Sequence, residues 1–240
     1  MSKAIKAMDE YDGIIAFFDE MNLLPSEKKK RIATARKFKE KIHEWLLIVY
    51  SDIKNGYFLH EKRREDYVDD LIALYVSMVG SVDKDSIYDT EVNAKATRFA
   101  NYIQDANENI VKSDDFNDGQ FKMSVLMGIK VPEELVPSYI KYDFGGDEYG
   151  DYRSERIGNS ETNWIYNYLG HKKKVASGQL YHTWETMQDE KVRGTHALAD
   201  GQTVPIDEPF TVGGYKLLFP TDDSLGAPAS ETINCRCLEI

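Results

Sequence analysis

Only two cysteines occur in the 240 residues, Cys235 and Cys237. A bridge between residues two apart is strained, so a disulfide scaffold is excluded and a reducing compartment is the simplest setting. Long apolar runs are also missing. No stretch reaches the ~18 apolar residues of a membrane span. The first residues, MSKAIKAMDEYDG, have no apolar h-region and read as mature sequence rather than as an export signal. Positive charge is scarce: 30 Lys and Arg stand against 41 Asp and Glu, a net charge of −11. A protein that coats nucleic acid over its whole surface needs clustered Lys and Arg, so that class is excluded. Nucleotide and hydrolase signatures are absent too. GGDEYG at 145–150 fits neither GxxxxGK[ST] nor a GxGxxG after a strand. There is no GxSxG elbow.

What is present supports a folded core. Hydrophobic residues make up 42% of the chain, whose length suits one large domain or two small ones. In residues 38–53, Phe38, Ile42, Trp45, Leu46, Val49 and Ile53 recur at spacings of three and four. Val68, Leu71, Ile72, Tyr75, Val76 and Val79 repeat the pattern, as do Val92, Ala96, Phe99, Ile103, Ala106 and Ile110. Each set is one face of an amphipathic helix, and together they predict a helical front. Breaks fall near Asn55-Gly56 and at 80–85. Ile14, Phe17, Phe18, Met21 and Leu24 crowd a short segment ending at Pro25, which reads either as a first core helix or as an arm for another subunit. SDDFNDGQ at 113–120 reads as a loop and KYDFGGDEYGD at 141–151 as a linker, with a soft domain boundary between 145 and 146.

Helical character returns from Arg153 to about Ala176. The period then changes. Leu180, His182, Trp184 and Thr186 alternate with Tyr181, Thr183 and Glu185, which predicts a strand. Phe210–Phe219 and Ile233–Ile240 are two more strand candidates. The expected class is therefore α+β: a helical region over 1–145, then a small α+β domain over 146–240 with a few short strands.

The densest chemistry lies in WETMQDEKVRGTHALADG, residues 184–201. Asp189 and Arg193 are four apart, the spacing of a helical ion pair that would pin this segment. Asp200-Gly201 reads as a tight turn. Taken as an acid, an electrophile and a base, Asp189, Arg193 and His196 make a nuclease-like set, the catalytic alternative to a structural role. On a strand, Cys235 and Cys237 would share a face and offer half of a tetrahedral zinc site, which His196 and His182 would complete. Against that stands the bland reading of two small buried residues. With His182 or His196 the cysteines also supply the atoms of a cysteine protease, but none of its local signatures. No cofactor is expected, zinc on His196, Cys235 and Cys237 being the one alternative. The stretch KKKRIATARKFKEK, 28–41, has eight basic residues and one acid. It is a solvated helix face or, through Lys28, Lys29, Lys30 and Arg31, a local contact for nucleic acid.

The order of these elements resembles the Mu F-like family of tailed-phage minor head proteins, also called head morphogenesis proteins. RSERIGNSETN at 153–163 comes first, then Trp184, Asp189, Val192, Arg193, His196 and Gly201, and finally Asn234, Cys235, Arg236 and Cys237. The likeness spans about 150–240. One departure is Gly158-Asn159-Ser160, where the family commonly has Ala-Arg-Thr. The resemblance implies a non-enzymatic minor head protein of a double-stranded DNA phage or prophage. Such a protein is portal-associated and acts in head assembly and in DNA packaging or ejection. Its partners would be the portal protein and the major capsid protein, with phage DNA as a local contact and no membrane. Its location would be the virion, after assembly in the host cytoplasm. Some members carry a toxin domain after the Mu F-like part; this chain stops three residues after Cys237, so no such fused activity is expected. A zinc-stabilised interaction module is the remaining alternative to the nuclease.

Overall fold

Amphipathic periodicity and side-chain caps account for most of the backbone in the computed structural model, which describes residues 12–113, 119–145 and 151–240. The loop expected at 113–120 falls largely outside these residues, as do residues 1–11. Of the linker expected at 141–151, residues 146–150 fall outside, whereas Lys141–Phe144 are the end of a helix that Gly145 stops in a left-handed conformation. By spatial proximity the chain divides into two units: the described residues of Met1–Phe38 with Glu155–Ile240, and Lys39–Ser154.

Within Lys39–Ser154 the architecture is helical. It takes in the later turns of α2 (Pro25–Asn55), α3 (Glu61–Val82), α4 (Thr90–Lys112), α5 (Gly119–Leu126) and α6 (Ser138–Phe144), with short 3₁₀ turns at Lys84–Tyr88 and Glu133–Leu135. Ile42, Trp45, Leu46, Val49 and Ile53 of α2 are buried as the spacing predicts, as are Val92, Ala96, Phe99 and Ile103 of α4. On α3 the buried face is Tyr67, Leu71, Tyr75, Met78 and Val79. That face is rotated by about one position from the expected stripe, because Tyr67 takes the place of Val68. Its ring packs edge-on to Trp45 with centroids 5.9 Å apart, and its hydroxyl donates to Asp52 at 2.6 Å. The tyrosine thus satisfies a buried carboxylate that Val68 could not reach. Asp89 caps α4, accepting from the backbone N–H of Glu91 at 2.8 Å. Gly80 lies inside α3, and the break comes at Asp83.

The other unit is α+β. Asp12 caps α1 (Gly13–Asp19), accepting from the N–H groups of Ile14 and Ile15, both at 3.1 Å. Ile14, Phe18, Met21, Ala35 and Leu238 form one apolar cluster, so the early segment is a core helix of its own chain. The long helix α7 (Asp151–Ala176) is followed by β1 (Tyr181–Glu185), the single turn α8 (Gly194–Ala197), β2 (Thr203–Pro205), β3 (Phe210–Val212), β4 (Tyr215–Leu217), the turn α9 (Ala229–Thr232) and β5 (Leu238–Glu239). β1 is the centre of an antiparallel sheet of order β2-β1-β5, with His182 opposite Val204 and Trp184 opposite Glu239. The Phe210–Phe219 strand candidate is instead a hairpin, β3-β4. Gly213 and Gly214 at φ 58° and 87° turn the chain, a conformation that L side chains rarely adopt. Of the Ile233–Ile240 candidate only the end pairs with β1: Leu238–Glu239 lie opposite Glu185 and Trp184, and Ile240 exchanges both backbone bonds with Thr183 at 2.8 and 3.0 Å. The second apolar cluster joins Trp184, Ala199, Phe210, Val212, Leu217, Ala227, Cys235 and Cys237. Among the described residues no helix is long and apolar enough to cross a membrane.

Candidate functional site

β1 carries Trp184 into the second cluster, where it is fully buried. The chain then makes an excursion and returns beside it. Trp184 N–H donates to Gln202 O at 2.9 Å, and Gly201 N–H donates to Trp184 O at 2.8 Å, so the segment between is clasped at its base. Gly201 turns with φ 74°. Asp200 secures the far side, accepting from the Thr186 N–H at 2.8 Å and hydroxyl at 3.0 Å. These bonds, the Thr186 backbone one foremost, hold the Asp200 carboxyl below its ordinary range.

The loop so formed is not helical at 189–193, which removes the Asp189–Arg193 pair. Asp189 instead accepts two parallel bonds from the Arg236 guanidinium, both at 2.7 Å. Hydrogen bonding to Arg236 lowers the Asp189 carboxyl from its ordinary value and raises Arg236. Arg236 also reaches Glu20 at 3.0 Å. Arg193 donates to the Ile233 carbonyl. The three residues of the nuclease-like set therefore point to separate partners.

His196 lies on α8 and is buried, as are Cys235 and Cys237. Its Nδ1 is 3.3 Å from Cys237 Sγ and 3.7 Å from Cys235 Sγ. Its Nε2 is 3.1 Å from Glu231 Oε2, which also accepts from the Thr195 hydroxyl at 2.8 Å. Cys235 is held well below the ordinary thiol value by the neighbouring Cys237 thiol, against burial and with the help of His196; Cys237 is pushed up by the same contact and by burial. Burial works against charge on His196, yet Cys235 and Glu231 raise it. The cysteines precede β5, so their shared direction does not come from strand pairing. It comes from how the loop is seated: Arg236 between them turns to Asp189 while both sulfurs turn to His196.

That seat is built by α7. Asn234, left-handed at φ 55°, donates its N–H to Ser160 Oγ at 3.0 Å. Asn163 donates to Cys235 O at 2.8 Å, and Asn167 to Pro220 O at 3.0 Å. Ser160, the last residue of the Gly158-Asn159-Ser160 stretch, supplies the anchoring hydroxyl. Arg31, expected as a nucleic-acid contact, is buried, donating to Asn163 and pairing with Glu27 at 2.8 Å. Its spacing from the apolar residues of α2 places it on the inner face, which the run of basic residues concealed. Lys28 reaches Asp19 O at 2.6 Å, and Lys29 and Lys30 are exposed.

His182 does not join the cysteines. Its Nδ1 is 2.9 Å from Glu239 Oε1 and its Nε2 is 3.0 Å from Glu208 O. His171 Nδ1 shares the same Glu239 oxygen at 3.0 Å. A carbonyl only accepts, so His182 Nε2 carries a proton. Lys174 donates to Glu239 O at 2.6 Å. This His171–Glu239–His182 cluster has metal-ligand composition, and sequence reasoning missed it. Its one visible signal was the inward alternation of His182 with Trp184.

No curated protein and no solved structure matches the chain. Residues 135–240 match the family described as Phage Mu protein F like protein. The matched span starts before α7 and takes in every element that seats the Trp184–Gly201 loop and the 234–237 segment, apart from the contacts made by α1 and α2.

Proposed function

We propose, from the membership of residues 135–240 in the Phage Mu protein F like family, that the chain is a minor head protein of a tailed double-stranded DNA phage or prophage. Its contribution is structural: it associates with the portal and acts in head assembly and in DNA packaging or ejection. The family match supports a phage-head role; portal association and action in packaging or ejection are part of the proposal. The observation that carries the non-enzymatic reading is how the shared residues are spent. Trp184 is core, Asp189 is bound to Arg236, Arg193 to a backbone carbonyl, and His196 is enclosed by Glu231 and two sulfurs. Each fixes the fold, and none of them offers a free nucleophile at an open cleft.

In this reading the helices of the 1–145 region contact the portal or the inner capsid. They lie mostly outside the span matched by the family, as expected of a part that fits one particular particle. DNA contact, where it occurs, is confined to the exposed Lys29 and Lys30 with Lys28, because a chain of net charge −11 otherwise repels DNA. The location is the virion, reached from the host cytoplasm.

The test is mass spectrometry of purified particles from the source phage or prophage, with capture of the portal protein by this chain as bait. Low-copy presence together with portal capture supports the reading. Absence from particles and no portal binding refutes it. A nuclease assay on purified protein is expected to be negative; cleavage lost in His196→Ala would move the enzyme reading to first place.

A further inference from the structure

We infer that His196 Nδ1, Cys235 Sγ and Cys237 Sγ form a three-ligand site for zinc, with a water in the fourth position, that clamps the Trp184–Gly201 loop onto the C-terminal segment. The inference goes beyond the proposed head role and does not depend on it.

Geometry carries it first. The three ligand atoms lie within 4.8 Å of one another. Zinc bonds of about 2.3 Å to sulfur and 2.0–2.1 Å to nitrogen at tetrahedral angles place nitrogen and sulfur about 3.5 Å apart. The observed separations of 3.3 and 3.7 Å bracket that value. Without a metal these contacts are thiol–imidazole hydrogen bonds. With zinc bound, two thiolates take their place and the cation balances their charge inside the apolar cluster.

The surroundings are those of a metal-binding histidine. Its other nitrogen faces Glu231, so Nε2–H donates to the carboxylate and the Nδ1 lone pair is left for the sulfurs. Glu231 is itself fixed by Thr195 and packed against the β3-β4 turn, where a Cβ on Gly213 would come within 2.9 Å of it. The buried Trp184 indole N–H is directed at Cys237 as a hydrogen-bond donor; a metal-bound thiolate is a stronger acceptor for it than a thiol.

A small cavity of about 20 Å³ adjoins the three ligands, lined also by Met187, Lys191 and Arg193. One water needs about 10–15 Å³. No fourth protein ligand joins the group among the described residues, so solvent completes the tetrahedron. Binding releases the thiol protons and changes no oxidation state. The ligands come from the loop after β1 and from the segment before β5, so the ion ties together two parts of the chain far apart in sequence.

The experiment uses the full chain, purified reduced and without chelating resin. Elemental analysis is expected to give about one zinc per chain. Replacement by Co(II) should produce a thiolate-to-cobalt charge-transfer band and strong visible bands of a tetrahedral site. The Cys235→Ser/Cys237→Ser variant should lose that band. Glu231→Gln, which keeps all three ligands, should weaken zinc binding about 10–100-fold. The cobalt spectrum of the unaltered chain stands whether or not the variants fold. The inference is overturned if the reduced chain takes up neither zinc nor cobalt, or if bound cobalt shows no sulfur band, which would place the metal elsewhere, for example at His171, His182 and Glu239. A Cys235–Cys237 disulfide in protein kept reduced would overturn it too.

Discussion

Asp189 is four residues from Arg193 and 47 from Arg236 in sequence, yet its carboxylate is paired with the latter. A double-mutant cycle separates the two. Asp189→Ala leaves Arg236, whose side chain is only 8% exposed, with Glu20 as its remaining partner. Breaking a fully buried pair costs about 3–5 kcal/mol, and an exposed one contributes about 0–1. Asp189 is about a third exposed, so solvent screening brings the expected coupling with Arg236 down to about 1–2 kcal/mol. Thermal unfolding should show this as roughly 2–4 °C per kcal/mol for a chain of this size. The same cycle on Asp189 and Arg193 should stay within about 0.5 kcal/mol, the scatter of uncoupled sites. The pH dependence has a fixed sign. Arg236 lowers the folded Asp189 carboxyl below its ordinary 3.8, so its contribution is full above that value and is lost as pH falls through the depressed one. A coupling with Arg236 under about 0.5 kcal/mol, or one unchanged at acid pH, would refute the reasoning.

Three further outcomes are expected. Trp184→Ala, at a fully buried position, should cost about 3–5 kcal/mol in denaturant unfolding; a cost under about 1 kcal/mol would mean that the ring is not core. Replacing Lys28, Lys29 and Lys30 by Ala should remove salt-dependent DNA binding in a gel-shift titration, whereas Arg31→Ala should lower the melting temperature. If the Lys variant binds DNA as the wild type does, the basic-patch proposal fails. Gly56→Ala should destabilise by more than about 1 kcal/mol, because Gly56 has φ +76° and a Cβ there would lie 2.5 Å from the Gly128 carbonyl carbon; an unchanged unfolding midpoint would contradict that geometry.

Much of this protein was legible along the chain because its signals are local. Helical periods of three and four located α2, α3 and α4, since an amphipathic face is set by residues within a few turns of one another. Alternation located β1 and put His182 and Trp184 on one side. The spaced residues from Arg153 to Cys237 carried the resemblance to the family that residues 135–240 match. Gly201 followed from turn chemistry; the chemistry of metal ligands grouped Cys235, Cys237 and His196 together with His182, which the structure places on Glu239 instead.

Partnership was another matter. The Asp189–Arg193 spacing would form a pair only on a helix, and the clasp between Trp184, Gly201 and Gln202 holds that loop in another form. Arg31 looked like one cation among many, until Asn163 drew it inward. His171 and Glu239 carry no local signal, since only the packing of α7 against β1 and β5 brings them to His182. The α1 segment left two readings open, and contact with Leu238 decided between them. Periodicity and motif are properties of neighbouring residues, so the sequence determined the elements and the kind of domain. Which charges meet, which histidines share a carboxylate and which sulfurs face an imidazole depend on contacts between distant parts of the chain, and these only the tertiary structure decided.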